Sequence, residues 1–139
     1  MYNYNYPRAA LTTDALVFVK QEAQTFVLLI QRGREPFKDK WALPGGFIEM
    51  DETLEAACKR ELEEETGLLV TKMTQFKTYD AINRDPRHRT ISVVYAAKLG
   101  EKKKVIGSDD AAKADWFSIE DLPELAFDHN IILKEFFRL

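Results

Sequence analysis

The segment over residues 46–68, GFIEMDETLEAACKRELEEETGL, constrains the fold of this chain more than any other part of the sequence. Thr53 is a favourable helix N-cap and Gly67 a favourable residue just beyond a helix C-terminus, which predicts a helix from residue 54 to residue 66. At about 100° per residue, one face of this helix carries an apolar stripe that consists of Leu54, Ala57, Cys58 and Leu62. The helix is therefore expected to pack against a core on that face.

Three acidic residues of the predicted helix continue the apolar stripe instead of facing water. Glu61, Glu64 and Glu65 lie at i, i+3 and i+4, so their carboxylates share one face, whereas Lys59 and Glu63 point the other way. Carboxylates this close together, near the negative end of the helix dipole, repel one another unless a positive charge neutralises them. A divalent cation such as Mg²⁺ prefers oxygen ligands of this kind. The alternative is an ordinary solvated acidic face.

Two further charged residues and a glycine loop flank this acidic face. Arg60 lies about 40° around the helix from Glu64, which favours an ion pair that orients this carboxylate over a direct contact with phosphate. Glu52 precedes the helix and either supports the metal site or interacts favourably with the helix dipole. Gly45 and Gly46 are expected to bring the backbone close to whatever the helix holds, because glycine permits close approach. A tight turn alone is the alternative.

The same segment resembles the Nudix box, in which a glycine, five residues, a glutamate and seven residues precede Arg-Glu-aliphatic-x-Glu-Glu-x-Gly-aliphatic. The fixed positions are matched by Gly46, Glu52, Arg60, Glu61, Leu62, Glu64, Glu65, Gly67 and Leu68. Nudix hydrolases cleave a nucleoside diphosphate linked to another group, using a divalent metal. The resemblance implies that Mg²⁺, or Mn²⁺ in its place, is bound by Glu61, Glu64, Glu65 and a backbone carbonyl of the glycine loop, assigned to Gly46.

The rest of the chain is predicted to consist mainly of strands. These strands cover residues 15–20 and 25–31, which flank a hairpin turn, and residues 71–79, 90–98 and 114–117. An amphipathic helix is predicted over residues 127–139. Strands with one helix between them and another at the end indicate an α/β fold with a mixed sheet covered on both faces. The Nudix resemblance implies the same architecture, an α/β/α sandwich.

Composition sets limits that agree with this fold. The 139 residues are enough for one domain with a single core, and 45% hydrophobic with 31% charged residues is typical of a soluble globular protein. A net charge of −3 argues against broad binding to nucleic acid or to anionic membranes. The single cysteine, Cys58, lies on the apolar stripe and is expected to pack in the core. With no long apolar run and no signal-peptide pattern, the expected location is the cytoplasm.

A second segment resembles Nudix ADP-ribose pyrophosphatases and the related Nudix domains of NAD metabolism. It reads NRDPRHR over residues 83–89 and TISVVY over residues 90–95. The resemblance extends over most of the chain through Phe37 and through WALPGGF (41–47), DDA (109–111) and FDH (127–129). Pro86 lies 19 residues beyond Gly67, farther than the marker proline of some ADP-ribose pyrophosphatases. ADP-ribose is the implied substrate; a nucleoside triphosphate and a dinucleoside polyphosphate are the alternatives within the family.

The arginines of this second segment suit a phosphorylated substrate. Arg84, Arg87 and Arg89 offer forked donors that match a diphosphate, unless they pair with Asp80 and Asp85 at a solvated hairpin tip. The residues expected to bind substrate are Arg32, Gly45, Arg84, Asp85, Arg87 and Arg89.

The expected reaction is metal-dependent attack of water on one phosphorus of ADP-ribose, which gives AMP and ribose 5-phosphate. A carboxylate must accept the proton of this water. Glu64 is one candidate, and a downstream loop offers Asp109 or Asp110 instead. The expected catalytic set is therefore Glu64, Arg60, Glu52, Asp109 and Asp110. A non-catalytic module that senses ADP-ribose and a structural subunit of a larger assembly are the alternatives to an enzyme.

The first seven residues, MYNYNYP, form a short segment rich in tyrosine. This segment is either flexible or packed against a base or a partner subunit. Because Nudix relatives commonly pair and exposed aromatic surface favours burial, a homodimer is expected.

Overall fold

Seven β-strands and two α-helices make up the part of the chain that the structure describes, residues 2–107 and 111–139 of a computed structural model. In chain order they are β1 (Ala10–Gln21), β2 (Gln24–Arg32), β3 (Trp41–Ala42), β4 (Gly45–Phe47), α1 (Leu54–Thr66), β5 (Thr74–Tyr79), β6 (Thr90–Leu99), β7 (Ala111–Ser118) and α2 (His129–Phe137). The elements predicted from the sequence are present, and the short strands β3 and β4 are additional.

Strand β1 lies at the centre of a mixed sheet and pairs with three other strands. It runs antiparallel to β2 and β4 and parallel to β6, with Ala10 opposite Thr90 and Val19 opposite Leu99. The order of the main sheet is β3-β2-β1-β6-β5, and β7 pairs with β2. Residues 15–19 of β1 form a continuous apolar run, as expected for a strand buried on both faces.

One helix covers each face of the sheet, and successive side chains of β1 alternate between the two faces. Ala15 and Val17 pack in one core cluster with Leu62 of α1. Leu16 packs in the opposite cluster with Ile132 of α2. The expected α/β/α sandwich with a mixed sheet is confirmed. Within residues 2–107 and 111–139, neither helix is long and apolar enough to cross a membrane.

Helix α1 begins and ends where the sequence predicts. The Thr53 hydroxyl accepts a hydrogen bond from the Ala56 amide at 3.1 Å, which caps the N-terminus. Gly67 has a φ of 76°, and its amide donates to the Glu63 carbonyl at 2.8 Å, which closes the C-terminus. Cys58 is buried on the sheet-facing side, and this burial raises the pKa of its thiol to about 12. The thiol therefore stays protonated and packs in the core.

Other boundaries differ from the predictions by several residues, in either direction. β1 begins at Ala10 rather than at residue 15, since its polar first half pairs with β4 and β6. β5 begins later, at Thr74, and β7 is longer than its predicted four-residue core. α2 begins at His129 rather than at residue 127, because Phe127 has a φ of 54°, outside the helical region.

The described part of the N-terminal segment exposes three tyrosines. The rings of Tyr2 and Tyr4 lie parallel with centroids 6.4 Å apart, and the Arg8 guanidinium lies 4.1 Å from the Tyr4 centroid. Tyr6 is exposed as well. The homodimer expected from this segment stays a prediction.

Candidate active site

A cavity of about 490 Å³ opens beside the glycine loop and the C-terminal half of α1. Its walls come from β1, β2, the segment over residues 42–49, α1, the segment over residues 84–90 and the start of α2. Among its charged lining residues are Asp14, Arg32, Glu49, Glu61, Glu65, Arg84, Asp85 and Arg87. Segments that are far apart in the sequence therefore bring acidic and basic groups to one cleft.

The glycine loop meets α1 at two points. The Gly45 amide donates to Glu65 Oε1 at 2.7 Å, and Glu65 is only 6% exposed. A Cβ atom at Gly46 would lie 2.6 Å from the Glu61 carboxyl carbon, so no larger residue fits there without moving Glu61. A Cβ atom at Gly45 would overlap the Thr13 carbonyl oxygen. The close backbone approach expected from the two glycines is thus observed.

Arg60 links the carboxylates around the helix. Its guanidinium donates twice to Glu52, at 2.6 and 3.0 Å, and also donates to Glu61 at 2.9 Å. The expected pair with Glu64 is present but longer, at 3.3 Å. The hydrogen bonds from Arg60 lower the pKa of Glu52 and raise that of Arg60 itself. Arg60 therefore orients three carboxylates, of which Glu52, rather than Glu64, is its main partner.

The acidic residues of α1 differ in their access to the cavity. Glu61 and Glu65 line it, whereas Glu64 has a side chain that is 45% exposed and is not among the described lining residues. No group of three His, Cys, Asp or Glu side chains within residues 2–107 and 111–139 is already arranged to hold a metal ion. The donors are all hard oxygens, and the missing Cβ atom at Gly46 lets the Glu61 carboxylate lie against the backbone of the glycine loop. The chemistry of these donors therefore suits a divalent cation, and Glu61 and Glu64 would have to exchange contacts with Arg60 for contacts with the ion.

The arginines of the 84–89 segment are anchored in three different ways. Arg84 forms a bidentate pair with Asp128, at 2.9 and 2.7 Å, and its side chain is only 4% exposed. Arg87 pairs with Asp85 at 2.8 Å. Arg89 donates to the Asp80 carbonyl at 2.6 Å.

These contacts distinguish the predicted substrate-binding arginines by whether they line the cavity. Arg84 and Arg87 line the cavity, whereas Arg89 is not among the described lining residues and instead holds the base of its own loop. The suggested pairing with Asp85 is observed for Arg87 only. Arg84 is buried and pairs with Asp128, which the sequence did not indicate as its partner.

Two aromatic rings, Phe47 and Phe127, line the cavity and form cation–π contacts with two of the lining arginines. The Arg32 guanidinium lies 5.0 Å from the Phe127 centroid, and its Nε donates to the Pro36 carbonyl at 2.7 Å. The Arg87 guanidinium lies 5.2 Å from the Phe47 centroid and 5.8 Å from that of Phe127. Cation–π contacts of this kind hold the guanidinium groups at the cleft with little loss of their hydrogen-bonding capacity.

Two buried titratable residues of the cavity were not predicted as site residues. Asp14 lies in the middle of β1, and His129 is the first residue of α2; both line the cavity. The signal for Asp14 was a carboxylate directly before the apolar run over residues 15–19, since an acid buried beside such a run is rare without a partner or a function. The signal for His129 was the FDH sequence. Asp109 and Asp110, the alternative general bases, lie outside the described residues.

A comparison with family models finds a match that covers most of the chain. The NUDIX domain matches residues 10–139. The chain belongs to the Nudix family. The expectation of a Nudix enzyme is thereby confirmed.

Two curated relatives show how far the similarity to Nudix proteins extends. An ADP-ribose pyrophosphatase from Methanocaldococcus jannaschii is 41% identical over 135 residues, which is 96% of this chain and 76% of the relative. The ADPR responsive transcriptional repressor NtrR from Acinetobacter baylyi is 34% identical over 137 residues. This match covers 96% of the chain but only 55% of the repressor. The chain thus spans about half the length of that regulator.

Two solved Nudix structures contain bound nucleotides. The Nudix domain of Shewanella oneidensis NrtR, in complex with ADP ribose, has a TM-score of 0.89 and 32% identity, over 98% of this chain and 93% of that one. A bifunctional NMN adenylyltransferase/ADP ribose pyrophosphatase from Francisella tularensis, in complex with AMP and manganese, has a TM-score of 0.86 and 32% identity. That similarity covers 97% of this chain and 43% of the bifunctional enzyme.

Proposed function

We propose that this Nudix enzyme hydrolyses ADP-ribose to AMP and ribose 5-phosphate with Mg²⁺, or Mn²⁺ in its place. The observation that carries the proposal is that Glu61 and Glu65 of α1, an acidic wall, and Arg84 and Arg87 of the segment over residues 84–89, a basic wall, line a single cavity. A volume of about 490 Å³ lies within the usual range for small-molecule sites. The similarity to an ADP-ribose pyrophosphatase and to a Nudix domain bound to ADP ribose supports this substrate.

The acidic wall would bind the cation, and one of its carboxylates would accept the proton of the attacking water. A bound divalent cation would neutralise the diphosphate and lower the pKa of a coordinated water. Glu61, Glu64, Glu65 and the Gly46 carbonyl are its proposed ligands. Arg60 contacts both Glu61 and Glu64, and its two hydrogen bonds to Glu52 would keep the guanidinium in place if these two carboxylates bound the cation.

The chemical step adds the water oxygen to one phosphorus of the diphosphate and breaks its bond to the bridging oxygen. The departing phosphate keeps the electron pair of that bond, and a carboxylate accepts the water proton. Glu64 is the proposed base within α1, and Asp109 or Asp110, which precede β7, are the alternatives. Gly45 contributes by holding Glu65 through its amide, 2.7 Å from Oε1.

The basic wall would bind the substrate. Arg84 is held in a fixed orientation by Asp128, so little conformational entropy remains to be lost when its outer donors meet a phosphate. Arg87, oriented by Asp85, and Arg32, oriented by the Phe127 ring, line the same cavity. These groups are proposed to grip the diphosphate and the terminal ribose.

The proposal is tested by product analysis on a substrate panel. Purified protein with Mg²⁺ is incubated with ADP-ribose, a nucleoside triphosphate and a dinucleoside polyphosphate, and the products are separated by anion-exchange chromatography. We expect AMP and ribose 5-phosphate from ADP-ribose at the highest kcat/KM of the panel. Faster release of pyrophosphate from the triphosphate would overturn the substrate assignment and leave the family assignment intact.

A second function, ADP-ribose sensing without turnover, is favoured by one observation. The chain is 34% identical to an ADPR responsive transcriptional repressor and resembles a Nudix domain solved with ADP ribose. Calorimetry with ADP-ribose separates the two functions. Tight binding with no AMP formed after prolonged incubation with Mg²⁺ would support the sensor, whereas turnover supports the enzyme.

Replacing the two cavity arginines should weaken substrate binding unequally. Arg84→Ala should raise the KM for ADP-ribose by about 10- to 100-fold, because a desolvated charge-assisted contact contributes about 1.5–3 kcal/mol. Arg87→Ala should have a smaller effect, since its side chain is 37% exposed and its contacts are screened by solvent. Steady-state kinetics provides the measurement, and Arg138→Ala, at the exposed end of α2, is the control. An unchanged KM in both cavity variants would remove these arginines from the binding site.

The protein is also proposed to form a homodimer through its tyrosine-rich N-terminal segment. The described tyrosines Tyr2, Tyr4 and Tyr6 are exposed, and burial against a second copy would remove this aromatic surface from water. Sedimentation velocity at micromolar concentration should give about twice the chain mass of 16.1 kDa. Sedimentation at the chain mass would contradict the proposal.

A further inference from the structure

Besides the pairing of β4 with β1, three hydrogen bonds hold the segment over residues 43–46. The Pro44 carbonyl accepts from the Ala15 amide of β1 at 2.7 Å, and the Gly45 amide donates to Glu65 of α1 at 2.7 Å. The third contact comes from the other side of the sheet: the Leu43 amide donates to His129 Nδ1 at 2.9 Å. This is a side-chain acceptor on α2, 86 residues away in the sequence.

The contact with Leu43 fixes the protonation state of the His129 ring. Because Nδ1 accepts a hydrogen bond, it carries no proton, and the ring proton of the neutral form lies on Nε2. His129 is only 3% exposed, and this burial lowers its pKa, which keeps the ring neutral. The opposite nitrogen, Nε2, lies 3.7 Å from Asp14 Oδ2.

Asp14, which lines the cavity, contacts both His129 and Ser92. Its Oδ2 accepts a hydrogen bond from the Ser92 hydroxyl of β6, which fixes the carboxylate from one side. The Nε2 edge of His129 faces the same oxygen from the other side. A carboxylate near Nε2 favours the tautomer with its proton on that nitrogen, and this tautomer is the one that leaves Nδ1 free to accept from Leu43.

We propose that His129 is a positioning residue that holds the segment over residues 43–46 against the acidic face of α1, with Asp14 fixing the required tautomer. The segment carries Gly45, which bonds to Glu65, and Gly46, which lies against Glu61. A shift of Leu43 would therefore move both glycines relative to the carboxylates. The kinetic consequence rests on the proposed hydrolysis, but the hydrogen bond itself is testable in the protein alone.

Two substitutions by amide side chains test the contacts of the two ring nitrogens separately. In His129→Asn, the side-chain oxygen lies two bonds from Cβ, as Nδ1 does, and can still accept from the Leu43 amide. In His129→Gln, the terminal amide lies three bonds from Cβ, as Nε2 does, and reaches towards Asp14 instead. We expect kcat to stay within a few-fold of the wild type for Asn and to fall by about 10- to 100-fold for Gln, with a smaller change in KM.

Nuclear magnetic resonance tests the same contact without any substrate. In the wild type, ¹⁵N spectra should show His129 Nδ1 unprotonated and Nε2 protonated at neutral pH. Hydrogen exchange at the Leu43 amide should be slow in the wild type and in His129→Asn, and faster in His129→Gln, while exchange at Val17 in β1 is unchanged. Asn130→Gln, an exposed neighbour in α2, serves as the matched control for folding and activity.

The outcomes distinguish this inference from the proposed function. A proton on Nδ1 in the wild type, or equal loss of activity in the Asn and Gln variants, would overturn the positioning role. If ADP-ribose is not hydrolysed by the wild type, the proposed function fails, while the tautomer and the Leu43 exchange rates still decide the positioning role. If both variants fail to fold, the wild-type tautomer alone decides it.

Discussion

Glu64→Gln is expected to lower kcat by about 10²- to 10⁴-fold while the fold is retained, which is the range associated with the loss of a general acid or base. Glutamine keeps the size of the side chain but removes the charge that a cation or a proton would need. The side chain is 45% exposed, so the substitution leaves little buried surface altered. Circular dichroism and thermal unfolding should match the wild type, and steady-state kinetics with ADP-ribose measures the effect.

Glu63→Gln is the matched control for this experiment. Glu63 is adjacent in the sequence and exposed, and it points about 100° around the helix away from Glu64 and is not among the described lining residues of the cavity, so the same chemical change there should leave kcat unaltered. A Mg²⁺ titration then separates two roles of Glu64: recovery at high Mg²⁺ indicates a lost metal ligand, and no recovery indicates a lost base. Wild-type turnover by Glu64→Gln would move the chemistry to other residues.

Alanine substitutions at Gly45 and Gly46 are expected to affect different properties: the first should lower stability, and the second should lower activity. A Cβ atom at Gly45 would overlap the backbone oxygen of Thr13, which cannot move without the sheet, so Gly45→Ala should destabilise the fold by about 1–3 kcal/mol. At Gly46 the obstacle is the end of the Glu61 side chain, which can rotate away. Gly46→Ala should therefore fold normally and lose about 10²-fold in kcat, because Glu61 is displaced.

Thermal unfolding and kinetics on the same samples check this contrast. Gly100→Ala is the control, since no atom within 4 Å would meet its added Cβ. A large loss of stability in Gly46→Ala, or full activity with an unchanged unfolding temperature in both loop variants, would contradict the geometry on which the proposed metal site depends.

The parts of the fold that were predicted from the sequence are those decided by local interactions. Helix α1 begins after Thr53 and ends before Gly67 because the hydroxyl cap and the left-handed glycine act within one turn of the helix. The assignment of Glu61 and Glu65 to one face follows from helical periodicity, which tertiary contacts do not change. The Nudix resemblance rests on the same segment, which explains why the family was identifiable from the sequence.

The contacts that the sequence did not reveal join residues far apart in the chain. Arg84 meets Asp128 across 44 residues, and Leu43 meets His129 across 86. Neither pairing follows from a local period, since each depends on how α2 docks on the sheet. The contact of Arg89 was likewise not evident from the sequence: its guanidinium donates to the Asp80 carbonyl, and its role in substrate binding stays a prediction.

The parallel pairing of β1 with β6 has a consequence for how the protein folds. Ala10 lies opposite Thr90 and Val19 opposite Leu99, so the central strand completes its hydrogen bonds only after residues 90–99 have been synthesised. Until then, β1 and β2 can form a hairpin, but its apolar edge stays open. Contacts between such distant residues slow folding, because a large loop must close before they form. The strand at the centre of the finished sheet is therefore synthesised well before the strand that completes its hydrogen bonds.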